Sequence, residues 1–211
     1  GNGHATTYRG LLRELSAMGH EVSFLEHDKP WYQNNRDFDY SDDYHLLFYT
    51  SRDELEQNFY DLIHQAHFVI VGSYVPEGVE VCRWVLNSAE GVTAFYDIDT
   101  PITLQNLDEG KNEYIEPSLI GEFDIYLSFS GGEVLTLLEK KYGAKRARPL
   151  YCSVDPSIYF PMDLPQKWEL GYLGTYSDDR QPTVEEFLLR PARVMGNKKF
   201  VVAGPGYPKQ I

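Results

Sequence analysis

The residues of this chain that could do chemistry stand in polar turns that follow apolar segments. The first of these turns contains Gly3 and His4 and leads into a predicted helix. Glycine lets the backbone approach a ligand closely, and an imidazole in such a turn could take a proton from a hydroxyl group. His4 is therefore a candidate catalytic residue and Gly3 a candidate substrate contact. The alternative is that His4 is only a polar residue at the start of a helix.

Two carboxylates, Asp97 and Asp99, end another apolar segment. We take both as candidate catalytic residues, which would orient a histidine or bind substrate hydroxyl groups. The alternative is that they cap the backbone around Pro101. An Asp-x-Asp spacing also occurs in metal sites of proteins built on a single mixed sheet. This chain is predicted to contain two Rossmann-like units instead, and so we predict no metal site.

A third turn contains Ser73 and Tyr74, directly after a predicted central strand. Ligands of open α/β sheets bind beyond the carboxyl ends of the strands. The hydroxyl groups of these two residues are therefore candidate substrate contacts. A serine shortly before Pro76 is also typical of a helix start.

The turns in the last quarter of the chain could bind a nucleotide. Gly174 and Thr175 follow a predicted strand, and Arg180 stands close behind them. Exposed backbone N–H groups and a guanidinium could together hold a diphosphate. The alternative is a solvated loop in which Arg180 pairs with a neighbouring aspartate. Gly204 and Gly206 follow the next strand and would allow close approach of a base or ribose, although a plain turn explains them nearly as well.

Composition and charge limit the class of protein. The 211 residues are 42% hydrophobic and 14% aromatic, which is ample for a packed core and argues against disorder. A formal net charge of −13 argues against a binding surface for nucleic acid or for an anionic membrane. It leaves room for a local basic pocket that binds phosphate.

No apolar run approaches the roughly 20 residues that a membrane-spanning helix needs, and the polar first residues do not resemble a signal peptide. The two cysteines, Cys82 and Cys152, stand in apolar surroundings and are predicted to be buried free thiols. We therefore expect a cytoplasmic protein without a transmembrane segment.

Apolar periodicity predicts alternating strands and helices, which is typical of a doubly wound parallel sheet. A glycine-rich turn usually follows a strand, and we therefore expect a further strand before residue 1. The segment at 30–44, with Trp31 and Tyr32, is predicted to be a surface loop. The predicted strands lie at residues 21–26, 45–50, 68–72, 92–96, 124–128 and 147–152. The predicted helices lie at residues 6–18, 52–66, 77–89, 117–121 and 132–142.

These elements predict two domains. Residues 1–155 form a Rossmann-like domain, and residues 156–167, which include three prolines, form a linker. Residues 168–211 begin a second Rossmann-like domain, with predicted strands at 170–173 and 200–203 and a helix at 183–195.

The order of these elements and several local phrases resemble GT-B glycosyltransferases, and in particular the CgeB-like bacterial glycosyltransferases. The phrases are Gly3-His4-Ala5-Thr6-Thr7, Phe95-Tyr96-Asp97-Ile98-Asp99-Thr100-Pro101, Ser153-Val154-Asp155, Gly171-Tyr172-Leu173-Gly174-Thr175-Tyr176 and Val202-Ala203-Gly204-Pro205. The resemblance implies an N-terminal acceptor domain and a C-terminal domain that binds a nucleotide-sugar without an essential metal ion or other cofactor. It also implies an acidic ribose-binding residue beyond Ile211.

The resulting hypothesis is a glycosyltransferase that moves a sugar from a nucleotide-diphosphate donor to an acceptor hydroxyl group. His4 would act as the base or contact the acceptor, oriented by Asp97 or Asp99. The acceptor could be a carbohydrate, a protein or a small molecule. Two alternatives remain open, a sugar-nucleotide epimerase on the same plan and a non-catalytic two-domain binding protein. An NAD-linked oxidoreductase is disfavoured because Thr6 stands where the dinucleotide fingerprint has its third glycine.

Overall fold

The computed structural model of the protein describes residues 3–29 and 40–208. The predicted surface pair Trp31 and Tyr32 lies outside the described residues, as do positions 1 and 2. The chain divides into two compact units, Gly1–Tyr159 (unit 1) and Phe160–Ile211 (unit 2). This division falls inside the predicted linker at 156–167.

Unit 1 alternates strands and helices along the chain. Its described strands are β1 (Ser23–His27), β2 (His45–Tyr49), β3 (Phe68–Gly72), β4 (Val92–Asp97), β5 (Ile125–Ser128) and β6 (Ala147–Pro149). Its described helices are α1 (Gly3–Ala17), α2 (Arg52–Asn58), α3 (Tyr60–Gln65), α4 (Gly78–Ser88), α5 (Thr100–Asp108), α6 (Pro117–Ile120) and α7 (Glu133–Lys140).

The strands of unit 1 pair in parallel. β3, β4, β5 and β6 form a four-stranded sheet in that order, and β1 pairs with β2. Parallel neighbours require crossover connections, and between successive strands of the four-stranded sheet these contain the helices α4, α5, α6 and α7. The predicted α/β class with parallel, Rossmann-like sheet structure is thereby confirmed.

The core of unit 1 is built around β4. Phe95 is fully buried and packs against the rings of Phe123 and Tyr126, at centroid distances of 5.9 and 5.4 Å. The next residue, Tyr96, points to the opposite face and contacts the ring of Tyr8 in α1 at 5.7 Å. Both faces of β4 are therefore covered, as its almost continuous apolar sequence requires.

The helix predicted at 52–66 is divided into α2 and α3. The division lies at Phe59, whose φ of −120° and ψ of 12° leave the helical region. Ser51 caps α2 by accepting a hydrogen bond from the backbone N–H of Glu54. Leu55 of α2 and Ile63 of α3 are both buried in the core.

Helix α5 is absent from the elements predicted from the sequence. Its start carries Pro101, which suits the first helical turn because the N–H that proline lacks has no partner there. Leu104 and Leu107 lie three residues apart and are both buried. These are ordinary helix signals, and α5 directly follows the Asp97–Asp99 turn.

The segment that leaves β6 is tied back to α1. Asp155 is 3% exposed and accepts hydrogen bonds from the guanidinium of Arg13, from the hydroxyl of Ser157 at 2.5 Å and from the backbone N–H of Ser157 at 2.9 Å. The Ser157 hydroxyl, with the charge of Arg13, lowers the pKa of Asp155. The end of unit 1 is thus held by a buried, charge-assisted cluster.

Unit 2 contains one parallel β-α-β arrangement. β7 (Leu170–Leu173) pairs with β8 (Phe200–Ala203), at the positions predicted from the sequence. The connection is a helical stretch made of α8 (Gln181–Val184), a π-helical turn (Glu185–Leu189) and α9 (Arg190–Val194). Val184 and Leu188 are its buried residues.

The two cysteines differ in exposure. Cys82 of α4 is fully buried, as predicted, whereas Cys152 is exposed because it follows β6 on the surface; both are free thiols.

Within residues 3–29 and 40–208, no helix combines the length and the apolar character needed to cross a membrane.

Candidate functional site

The candidate site lies where β3 and β4 end, beyond Gly72 and Asp97, which we call the carboxyl edge. Gly72 and Tyr96 are register partners, so the turns that follow the two strands are neighbours. The hydroxyl of Tyr74 donates a hydrogen bond of 2.5 Å to Oδ2 of Asp99. Two residues predicted from separate turns, Tyr74 and Asp99, therefore meet in one place.

Tyr74 has an unusual backbone conformation. Its φ of 70° lies in the left-handed region, which is uncommon for residues other than glycine and is strained for a bulky side chain. Such strain amounts to about 1–3 kcal/mol and is found most often at functional sites. The Tyr74 side chain remains 41% exposed, so burial in the core does not explain its placement.

His4 contacts the same tyrosine. Its ring lies 4.9 Å from the ring of Tyr74, at an interplanar angle of 47°. α1 begins at Gly3, three residues before the predicted start, which puts His4 in the first helical turn. In the structure, Tyr74 contacts both His4 and Asp99 and so lies between them. The sequence instead predicted that an aspartate orients the histidine directly.

A third ring, that of Tyr114, completes a row with His4 and Tyr74, which we call the aromatic row. Tyr114 lies 4.5 Å from Tyr74 between ring centroids and is half-buried. Its backbone packs against Gly78, where an added Cβ would lie 2.6 Å from the carbonyl oxygen of Tyr114. The sequence pattern does not indicate Tyr114, because this residue stands in a polar loop that does not directly follow a strand.

The ionisation of these tyrosines follows from their surroundings. Burial raises the pKa of the Tyr74 phenol, and its hydrogen bond to Asp99 raises it further. Burial also raises the pKa of Tyr114, with a contribution from the carboxylate of Glu113. Both phenols are therefore protonated at neutral pH. The Tyr74 hydroxyl acts as a donor to Asp99 and not as a base.

Asp97 has a structural place instead of a catalytic one. Its side chain is fully buried, with Oδ2 accepting from Tyr126 at 2.7 Å. Oδ1 accepts from the Thr103 hydroxyl at 2.9 Å and from the backbone N–H of Asp99 at 3.1 Å. Burial raises the pKa of Asp97, and these hydrogen bonds oppose the increase. A carboxylate enclosed in this way fixes the start of α5 and cannot contact a substrate.

Ser73 also points inward. It is 5% exposed, and its hydroxyl accepts a hydrogen bond of 3.2 Å from the backbone N–H of Ile98. The predicted substrate contact is therefore replaced by a link between the turns after β3 and β4. Of the residues predicted at this edge, His4, Tyr74 and Asp99 are brought together. Ser73 and Asp97 are buried, and each accepts a hydrogen bond from the backbone of the turn after β4.

The two aspartates of the Asp-x-Asp spacing have separate partners, Tyr126 and Thr103 for Asp97 and Tyr74 for Asp99. Among the described residues, the His, Cys, Asp and Glu side chains form no group of three or more that could hold a metal ion.

In unit 2, the predicted glycines bring the turns after β7 and β8 into contact. The N–H of Gly174 donates to the carbonyl of Ala203 at 2.9 Å, and Gly204 lies directly against the Gly174 carbonyl. Gly204 has a φ of 147°, and an added Cβ would collide with that carbonyl. Gly206, with a φ of 83°, occupies the same turn beside Thr175.

Arg180 is exposed and forms no side-chain ion pair with the described residues. Asp178 accepts from the Tyr176 hydroxyl at 2.8 Å, and Asp179 accepts from the hydroxyl of Ser177. The Ser177 hydroxyl lowers the pKa of Asp179, and the charge of Arg180 contributes, so that Arg180 lies near Asp179 without a direct ion pair. The guanidinium remains available to an anionic ligand.

An open groove of about 480 Å³ lies away from the carboxyl edge, near the amino ends of β4 and β5. Three of its charged groups already have partners: Arg83 donates to Glu116 at 2.6 Å, and Asp124 accepts from the N–H of Thr93 at 3.0 Å. Ligands of open α/β sheets bind at the opposite edge. We therefore place the candidate site at the carboxyl edge, on His4, Tyr74, Asp99 and Tyr114.

Comparison with known proteins adds no relative: no protein-family model matches the chain, and no curated sequence is significantly similar to it. The family named from the sequence phrases accordingly stays a hypothesis.

Proposed function

We propose that the protein is a glycosyltransferase, which moves a sugar from a nucleotide-diphosphate donor to the hydroxyl group of an acceptor. The observation that carries this proposal is the meeting of His4, Tyr74 and Asp99 at the carboxyl edge of a parallel α/β sheet. A titratable base and a carboxylate beside a strained, exposed tyrosine form the kind of cluster that acid–base chemistry needs.

In the proposed reaction, a ring nitrogen of His4 takes the proton of the acceptor hydroxyl. The acceptor oxygen then forms a bond to the anomeric carbon of the donor sugar. The bond between that carbon and the diphosphate oxygen breaks, and the nucleoside diphosphate leaves with the electron pair. Asp99 holds the Tyr74 hydroxyl, and Tyr74 in turn packs against the imidazole, so that the base has a fixed orientation.

The donor side of the proposal rests on unit 2. Gly174, Thr175 and Arg180 follow β7, and the exposed guanidinium of Arg180 suits a diphosphate. Gly204 and Gly206 shape the neighbouring turn after β8, where the proposal puts the base or ribose.

Isothermal titration calorimetry of the protein with UDP-, GDP- and dTDP-sugars tests the proposal. We expect one nucleotide to bind, and Arg180→Gln to weaken that binding about 10-fold or more, as the loss of a charge-assisted hydrogen bond predicts. Lys167→Gln, a charge loss in the exposed segment before β7, serves as the control. Absence of binding to every sugar-nucleotide of the panel would contradict the proposal. Product analysis then separates transfer, which yields a free nucleoside diphosphate and a glycoside, from epimerisation, which yields an altered sugar-nucleotide.

A further inference from the structure

The aromatic row has features that packing does not account for. Three rings from three separate segments, His4 of α1, Tyr74 after β3 and Tyr114 after α5, follow one another at 4.9 and 4.5 Å. Tyr74 is strained and 41% exposed, although a glycine would occupy its backbone position without strain. Burial in the core therefore does not explain this side chain.

The row is held rigidly. The Tyr74 hydroxyl is fixed by Asp99, and the backbone carbonyl of Tyr114 is enclosed between Gly78 and the Sγ of Cys82, which lies 3.8 Å away. Rings fixed in advance lose little conformational freedom when a ligand lands on them. The geometry is therefore that of a preformed platform.

The polar groups beside the row indicate the charge of the ligand. Asp99 uses Oδ2 for Tyr74, while its Oδ1 has no hydrogen-bond partner among the described residues. No lysine or arginine of the described chain pairs with Asp99. A free carboxylate oxygen accepts from a hydroxyl group and repels an anion. These groups favour a ligand that carries hydroxyl groups and no negative charge.

We propose that the aromatic row is a carbohydrate platform, and that the acceptor is a neutral hexopyranose. The apolar C–H face of the sugar ring packs against the electron-rich faces of Tyr74 and Tyr114. One sugar hydroxyl donates to Oδ1 of Asp99, and a neighbouring hydroxyl faces His4. This assignment of the acceptor rests on the proposed glycosyl transfer, but the platform itself can be tested without a donor.

The test is saturation-transfer NMR and calorimetry of the full chain with methyl glucopyranoside, galactopyranoside and mannopyranoside, and with sorbitol and choline as comparison ligands. We expect at least one hexopyranoside to bind and sorbitol, which has hydroxyl groups but no ring, not to bind. Tyr74→Ala should weaken binding by about 2- to 12-fold, the range of one aromatic contact. Tyr74→Phe, which keeps the ring, should weaken it less.

Tyr60→Ala provides the matched control, because Tyr60 is 44% exposed and stacks at 5.4 Å on His64, whose Nδ1 contacts the carbonyl of Ser88 before the amino end of β4. Equal effects of Tyr74→Ala and Tyr60→Ala would overturn the location of the platform. Binding of choline in place of the hexopyranosides would assign the row to a cation and overturn the proposal. Nucleotide-sugar binding without any hexopyranoside binding would overturn the acceptor class and leave the transfer standing. Hexopyranoside binding without nucleotide-sugar binding would support the platform and contradict the proposed glycosyl transfer.

Discussion

At the scale of single residues, Tyr74 links the chemistry to the fold. Its ring lies 4.9 Å from that of His4 and 4.5 Å from that of Tyr114, and its hydroxyl donates to Asp99. The strain of about 1–3 kcal/mol is a cost that a purely structural turn would avoid with glycine. In the proposed mechanism, a fixed tyrosine in this position orients the imidazole.

The first prediction concerns His4. In an assay with the nucleotide-sugar that binds, His4→Ala should lower kcat by about 10²–10⁴-fold, the usual contribution of a general base. Its free energy of unfolding should change by less than about 1 kcal/mol, because His4 is only half-buried in the first turn of α1. His67→Ala, an exposed histidine before the amino end of β3, is the control. Unchanged kcat in His4→Ala would remove this histidine from the mechanism.

The second prediction separates the two aspartates. Asp97→Ala leaves the Tyr126 hydroxyl, the Thr103 hydroxyl and the Asp99 N–H without their buried acceptor. We therefore expect it to lower the free energy of unfolding by about 2–4 kcal/mol. Asp99→Ala loses one partly exposed hydrogen bond and should cost about 1 kcal/mol. Urea denaturation measures both, and equal losses would contradict the structural place given to Asp97.

The sequence could identify His4, Tyr74 and Asp99 as candidates, because residues that follow strands of a parallel sheet gather at one edge. It could not tell Asp99 from Asp97, or Tyr74 from Ser73. Which member of each pair is buried depends on how the turns after β3 and β4 interlock, as when Ser73 accepts from the N–H of Ile98. That contact is between residues distant in sequence, and periodicity carries no information about it.

At the scale of elements, the loop after α5 and the start of α4 position the aromatic row together. Tyr114 can lie beside Tyr74 because α4 begins at Gly78, which has no side chain to meet the Tyr114 carbonyl. Periodicity could not predict this contact. Periodicity also did not predict α5, although Pro101, Leu104 and Leu107 are recognisable helix signals. The helix has only nine residues and directly follows the turn that contains the two carboxylates.

The third prediction tests this contact. In Gly78→Ala the new Cβ would lie 2.6 Å from the Tyr114 carbonyl oxygen, so that either α4 or the loop must shift. We expect the free energy of unfolding to fall by about 1–3 kcal/mol, as for other overpacked sites, and hexopyranoside binding to weaken with it. Gly196→Ala, where nothing lies within 4 Å, is the matched control for the loss of glycine. Thermal unfolding and the NMR assay together decide the result.

At the scale of the whole molecule, the two compact units are joined through a segment that unit 1 holds in place. Asp155, beside the boundary, is anchored to Arg13 of α1 and to Ser157. Beyond it, residues 160–169 are all exposed and lack helix or strand. The end of unit 1 is therefore fixed by charge and hydrogen bonds before the chain enters unit 2.

The fourth prediction is the pH dependence of this anchor. Because the pKa of Asp155 is lowered in the folded state, its contribution to stability is present above the unfolded value near 4 and is lost as the pH falls through the folded value. The difference in unfolding free energy between the wild type and Asp155→Asn should therefore be largest above about pH 4 and shrink below it. Urea denaturation at several pH values measures this difference. Ser157→Ala should reduce the difference in part, and a difference independent of pH would contradict the anchor.

The unequal exposure of the two thiols makes the protein easy to observe in solution. Burial raises the pKa of Cys82 to about 12, so it stays protonated and unreactive, while Cys152 lies on the surface three positions before Asp155. A maleimide dye at neutral pH should therefore couple at a single position without any engineering of the chain. A fluorophore attached there would lie near the end of unit 1 in the sequence, and its emission would report on whether a nucleotide-sugar changes that segment.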